Sequence, residues 1–315
     1  MRAVVEVVLP VFAIILVGYA SGRYRLLGEA GGDVLNRFVY FVALPVLLFQ
    51  SLARATPAQI FDVSFLAAYL GGQTLLMLAS GLLAFFAFRR KLEEASLFAM
   101  AAIFGNTGYM GIPLAAAAFG DDAAVPAMIA TVFGTAWIVT IVTICIEVGL
   151  TAHGRPYHHV IADVGIALAR NPLFGSSLLG IAWSLGGIPV WAPLDRLCSI
   201  LGAAAGPCAL VSIGLFLVGK PWAQAPAETA AMVLLKLVIH PLFIAWLVLA
   251  VFDVNPRWAT VAILMAALPT GANVFVVGQR YGVYLERISA ATLISTVLAV
   301  LTLSVLFSFP QAWIR

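Results

Sequence analysis

Asn106, Thr107, Gly108, Gly111 and Pro113 lie in the stretch NTGYMGIPL, and Pro269, Thr270, Gly271 and Asn273 in ALPTGANVFVV. Asparagine and threonine bring neutral hydrogen-bond donors and acceptors. Glycine and proline loosen or break a helix and free backbone N–H and C=O groups. Amides at a helix start carry partial positive charge and hold anions. Together these residue types suit a donor-rich seat for an anion. Pro113 fits the first turn of a helix, which predicts that amides near Gly111 face the break.

Both stretches interrupt long apolar segments. The chain has 315 residues, 63% hydrophobic and 10% charged, with mean hydropathy +1.06. A soluble core has no use for that much apolar surface. Spans of about 20 apolar residues fall at roughly 3–22, 35–53, 63–88, 95–119, 123–149, 170–187, 193–218, 227–252, 257–280 and 285–308. This is an all-α polytopic membrane protein of about ten spans, with nine or eleven as the alternative counts. The first span carries Arg2 and small residues at its end, as a signal peptide does. Its long apolar run and the many spans behind it make it helix one.

The two polar breaks fall in spans four and nine. The most polar linker, TAHGRPYHHV from Thr151 to Val160, divides five spans from five. An odd number of spans per half inverts the second half, so residues 1–150 and 170–315 form an inverted repeat joined by a linker over 151–169. Matching broken helices in two inverted halves point to a transporter's binding site, because freed backbone groups cannot face lipid. A weaker echo pairs ALPVLLF in span two with AAGPCALVSIGLF in span seven.

Charge sets the orientation. Arg23, Arg25, Arg37, Arg89, Arg90, Lys91, Arg155, Arg170, Lys220, Arg280 and Arg287 fall on one side, and Arg2, Arg54, Arg196, Arg257 and Arg315 on the other. The richer side is cytoplasmic, so both termini lie outside a bacterial inner membrane. The net charge of +3 reflects that bias and excludes nucleic acid as a partner. Cys145, Cys198 and Cys208 have no CxxC spacing and read as small buried hydrophobes. No ligand cluster suggests a metal, and no nucleophile–base pair suggests an enzyme.

GNTGYMGIPL (Gly105 to Leu114) and ALPTGANVFVVGQRYGV (Ala267 to Val283) resemble the span-four and span-nine motifs of the auxin efflux carrier family, the plant PIN proteins and their bacterial relatives. The likeness covers nearly the whole chain. It implies a fold akin to bile-acid sodium symporters, in which spans four and nine cross. A transport domain of spans 3–5 and 8–10 would move like an elevator against a scaffold of spans 1, 2, 6 and 7, which also forms a homodimer surface. Asn106 falls where the plant carriers place the asparagine that meets the substrate carboxylate. Pro113 matches their crossing proline, and Pro269 and Gly271 open the second motif. The chain departs at Val274, where the plants have a second proline, and at Tyr69 and Gln73, where they have Asp and Lys. The second motif is nearer the bacterial branch, with carriers of malonate and related carboxylates.

Three further residues bear on charge. Lys236 lies inside span eight with His240 one turn on, and Gln73 inside span three. A lysine at the bilayer centre costs about 2.5–3.5 kcal/mol on insertion scales, so Lys236 is expected to compensate the charge of a carried anion. Gln73 is a candidate polar contact to the crossing. The reading is therefore a secondary active carrier of small organic anions, malonate-like, with an indole monocarboxylate such as auxin as the rival substrate. A cation/proton exchanger is the second alternative, but it usually needs a deep acid, and the fourteen acids fall in loops or near span ends. No cofactor is expected. Na⁺ on unwound carbonyls and H⁺ on Lys236 or His240 both stand as coupling ions.

Overall fold

A computed structural model describes residues 9–28, 31–151, 170–219 and 225–308. Most of the 151–169 linker therefore lies outside the described residues. Among those residues the chain is helical, and the only β element is an isolated antiparallel bridge between Gly105 and Thr270. The helices are α1 (Leu9–Arg23), α2 (Gly31–Arg54), α3 (Pro57–Phe86), α4 (Leu92–Ile103), α5 (Thr107–Phe119), α6 (Ala124–Thr151), α7 (Pro172–Leu185), α8 (Ala192–Leu217), α9 (Pro226–Val251), α10 (Pro256–Ala267), α11 (Ala272–Tyr281) and α12 (Leu285–Ser308). Six of them, α2, α3, α6, α8, α9 and α12, are each long and apolar enough to cross a membrane. The described parts of α1 and α7 are shorter, and the segments expected as spans four and nine are each in two pieces, α4–α5 and α10–α11.

Local chemistry sets these boundaries. Asn171 caps α7 by accepting the amide of Leu173 at 2.9 Å, and Asn255 caps α10 by accepting that of Arg257 at 3.0 Å. Pro172, Pro226 and Pro256 take first-turn positions, where the missing N–H costs nothing.

The outer surface is apolar, with Leu16, Phe86 and Leu301 each about two-thirds exposed or more. Lipid is the solvent that tolerates such a surface. The centre lies around the broken helices. Ala95 to Thr107 and Val261 to Gly271 are buried without interruption. A helix apolar on every face is one surrounded by other helices. α1 packs along the second half of α8, α7 along α2, and α3 and α6 flank α4.

At one end of the molecule a charged cluster ties three elements. The Glu228 carboxylate, at the start of α9, meets Arg90 at 2.5 Å and Arg287 at 3.4 Å, and accepts the Tyr284 hydroxyl. Burial and the adjacent carboxylate push the Tyr284 phenol well up, so it stays protonated and donates. The α3–α4 connection and the start of α12 are thus pinned to α9.

Candidate functional site

The two breaks lie against each other. α4 stops at Ile103 and α10 at Ala267, and three or four extended residues follow each. The Asn106 amide donates to the Pro269 carbonyl at 2.8 Å, and the Gly271 amide donates to the Phe104 carbonyl at 2.9 Å. Each freed strand thus satisfies the other, as backbone away from water must. The approach needs glycine on both sides. A Cβ on Gly271 would sit 2.8 Å from the Gly105 carbonyl oxygen, and one on Gly105 would sit 2.9 Å from that of Met265.

A helix end leaves carbonyls without partners, and side chains take two of them here. The Thr270 hydroxyl, fully buried, donates to the Ala101 carbonyl of α4 at 2.9 Å. The Lys236 ammonium, also fully buried, donates to the Ala266 carbonyl of α10 at 2.5 Å and approaches His240 Nδ1 at 3.1 Å. With Nδ1 as acceptor the imidazole proton lies on Nε2, which is buried without a partner. Lys236 sits in a π-helical turn, Leu235–Ile239, and such turns often mark functional sites. The Thr270 amide donates to Ser295 Oγ at 3.0 Å, whose own proton goes to the Thr292 carbonyl at 3.1 Å.

The two onward helices begin at the breaks. α5 starts at Thr107 with a π-helical turn, and the Asn106 carbonyl accepts both the Met110 and Gly111 amides. The Gly111 amide is therefore engaged within the helix, and the free first-turn amides belong to Thr107, Gly108 and Tyr109. Gly111 packs on Met265 and Leu268, Pro113 on Gly206 of α8, and Gly108 toward Thr131 and Leu44. At α11, capped by Gly271 without a side-chain bond, Ala272 and Asn273 supply the free amides. Asn273 is half-buried, and Val274 is packed fully in the core. Gln73 lies beside Gly134 of α6 with Oε1 unpartnered, not against the two strands.

A cavity of about 590 Å³ reaches the crossing from the α1–α2 side. Asn106, Tyr109 and Ala272 line it from the broken helices, Thr292 and Thr296 from α12, Asn36 from α2 and Arg25 from the α1–α2 connection. Tyr109 donates to Asn36 Oδ1 at 2.7 Å across the cavity wall. Thr292 is 4% exposed, and its hydroxyl has no partner. Asn106 is 8% exposed and makes no side-chain cap. The site thus offers a neutral amide, a spare hydroxyl and two helix N-termini, a set suited to a small anion, with one cation and one acid, Arg25 and Asp33, on the α1–α2 side of the wall.

Sequence reasoning missed Ser295, Thr292 and Tyr109. A signal existed for the first two. Ser289, Thr292, Ser295 and Thr296 recur three or four residues apart, a polar stripe on one face of an apolar span.

A family described as "Membrane transport protein" matches residues 3–307. The chain belongs to that family. Its members are transporters rather than enzymes. A Rhizobium meliloti protein of the family, named "Putative malonate transporter", is 35% identical over 309 residues, covering 96% of this chain and 95% of the relative. An uncharacterized transporter of Methanothermobacter thermautotrophicus is 28% identical over 310 residues, covering 95% of each. Auxin efflux carrier component 3a of Oryza sativa is 33% identical over 138 residues, 42% of this chain and 22% of the plant protein. The resemblance to auxin efflux carriers thus holds, partial toward the plants and nearly end to end toward the microbial transporters.

Proposed function

We propose that this member of the family is a secondary active carrier of small carboxylates, with malonate as its substrate. The observation that carries this reading is the cavity at the crossing, where the Asn106 amide, the spare Thr292 hydroxyl and the first-turn amides of α5 and α11 converge. One carboxylate would rest on these donors, in the manner of half-helix anion sites. Lys236, bonded to the last turn of α10 beside the break, offsets the charge of the bound anion. The name of the Rhizobium meliloti relative favours malonate.

The proposed architecture is ten spans in two inverted five-helix repeats, with α4–α5 and α10–α11 as broken spans four and nine. Spans 3–5 and 8–10 would slide as a unit against spans 1, 2, 6 and 7, the latter also pairing two copies of the chain. The charged cluster at Glu228 supports a single moving unit, because all its members lie on spans 3, 4, 8 and 10 or their connections. The cavity is reached from the arginine-rich α1–α2 connection, which the positive-inside rule puts in the cytoplasm, so the state described faces inward.

A second reading, an indole monocarboxylate, draws on the aromatic wall. Phe216 and Phe275 line the cavity and lie 5.9 Å apart in a T-shaped pair, apt for one flat ring. Labelled uptake into proteoliposomes across malonate, longer dicarboxylates, acetate and indole-3-acetate separates the two. Malonate is expected to be taken up and to be competed by other short dicarboxylates. Uptake of indole-3-acetate alone favours the second reading, and uptake of none of the panel refutes both.

A further inference from the structure

The two broken helices end in the same predicament and resolve it differently. At the end of α4 the orphan carbonyl of Ala101 receives a neutral hydroxyl from Thr270; at the end of α10 that of Ala266 receives the ammonium of Lys236. A helix C-terminus carries partial negative charge and attracts a cation. In carriers built on broken helices, such carbonyl ends are where a coupling Na⁺ is held. Here a covalently attached cation already occupies that end.

The surroundings fit a permanent tenant. Lys236 is fully buried, and among the described residues no carboxylate pairs with it. Among the described residues its partners are one carbonyl oxygen and one imidazole nitrogen, a set that neutralises no charge of its own. The nearest acid on the same helix, Glu228, is engaged by Arg90 and Arg287. The π-helical turn at Leu235–Ile239 widens the helix at the point where the side chain leaves it.

We propose that the Lys236 ammonium fills the cation seat at the carboxyl end of α10, so that this carrier binds and moves its anion without sodium. The inference rests on the reading of the chain as an anion carrier and settles one of its coupling ions. Removing the ammonium should uncover the seat. Lys236→Ser leaves the Ala266 carbonyl, the His240 nitrogen, a new hydroxyl and room for a small hydrated ion. Lys236→Met removes the charge but fills the space and adds no oxygen.

The test compares the melting midpoints of the purified wild type and both variants in sodium chloride and in equimolar choline chloride. The wild type should melt alike in both salts. Lys236→Ser should melt lower in choline and recover by about 2–4 °C in sodium, as a ligand that binds only the folded state would cause. Lys236→Met should be low in both. In proteoliposomes, wild-type malonate uptake should be the same with and without a sodium gradient. Sodium raising the wild type's midpoint or uptake overturns the proposal, and so does a Lys236→Ser protein that sodium does not stabilise or rescue. If the vesicles take up no carboxylate, the anion-carrier reading fails while the melting comparison still judges the seat.

Discussion

Replacing Asn106 with alanine separates binding from folding at the crossing. The backbone of Asn106 carries structure: its amide donates to Pro269, and its carbonyl accepts from Met110 and Gly111. Alanine keeps all three bonds. An asparagine that caps a helix with its side chain is worth about 0.5–2 kcal/mol, but Asn106 makes no such cap. The stability change should therefore stay within about 0.5 kcal/mol, as at sites free of caps, cavities and networks. What the side chain has left to do is meet a ligand, since it lines the cavity while 8% exposed. One hydrogen bond to a charged group contributes about 1.5–3 kcal/mol, or about 10- to 150-fold in Kd. Titration calorimetry of purified wild type and Asn106→Ala with malonate measures this, with a melting curve as the folding control. Equal affinities in two equally stable proteins would refute the placement of the carboxylate at Asn106. Equal loss of affinity and stability would make the residue a structural one.

Thr270→Val is nearly isosteric, yet it strips the Ala101 carbonyl of the Thr270 hydroxyl in a fully buried place. A buried polar group left without its partner costs about 1–3 kcal/mol, so the melting midpoint should fall, and an unchanged midpoint would speak against the bond. Glu228→Gln removes the carboxylate shared by Arg90 and Arg287. Those arginines are about a quarter exposed, and solvent screening holds the expected loss near the lower end, about 1.5 kcal/mol; thermal unfolding of the variant checks it. Single cysteines at Leu27 and Ile188, both exposed on connections, in a background without Cys145, Cys198 and Cys208, should be labelled by an impermeant maleimide from opposite sides of the membrane. Labelling from one side would contradict the ten-span orientation.

The breaks themselves were legible because glycine, proline and asparagine at the middle of an apolar run conflict with a lipid-facing helix. NTGYMGIPL and ALPTGANVFVV carry that conflict openly. Their partnership is a tertiary fact: nothing local to Gly105 says that Thr270 lies opposite. The restart of α5 at Thr107 was missed for a local reason. Pro113 looks like a first-turn residue, but the Asn106 carbonyl begins a π-helical turn that puts proline a turn and a half into the helix. Lys236 could be flagged by its cost in lipid, whereas its acceptor on α10 lies 30 residues away. The far wall of the cavity comes from Arg25 and Asn36, which in the sequence are only a charged turn and an ordinary helix start. Gln73 stands out in the sequence as a polar residue in an apolar span, and its side chain lies beside Gly134.

The central claim is that the cavity at the crossing holds a small carboxylate. Thr296 lines that cavity from α12 and can serve as its reporter. In the cysteine-free background, Thr296→Cys is alkylated while malonate is titrated, and the same titration is repeated with malonamide, its uncharged analogue, and with Asn106→Ala added. Malonate should slow alkylation saturably, malonamide should not, and the Asn106→Ala protein should need about 10- to 150-fold more malonate for the same protection. Alkylation that runs at one rate whatever the malonate concentration, in a protein that still transports malonate, would place the substrate elsewhere.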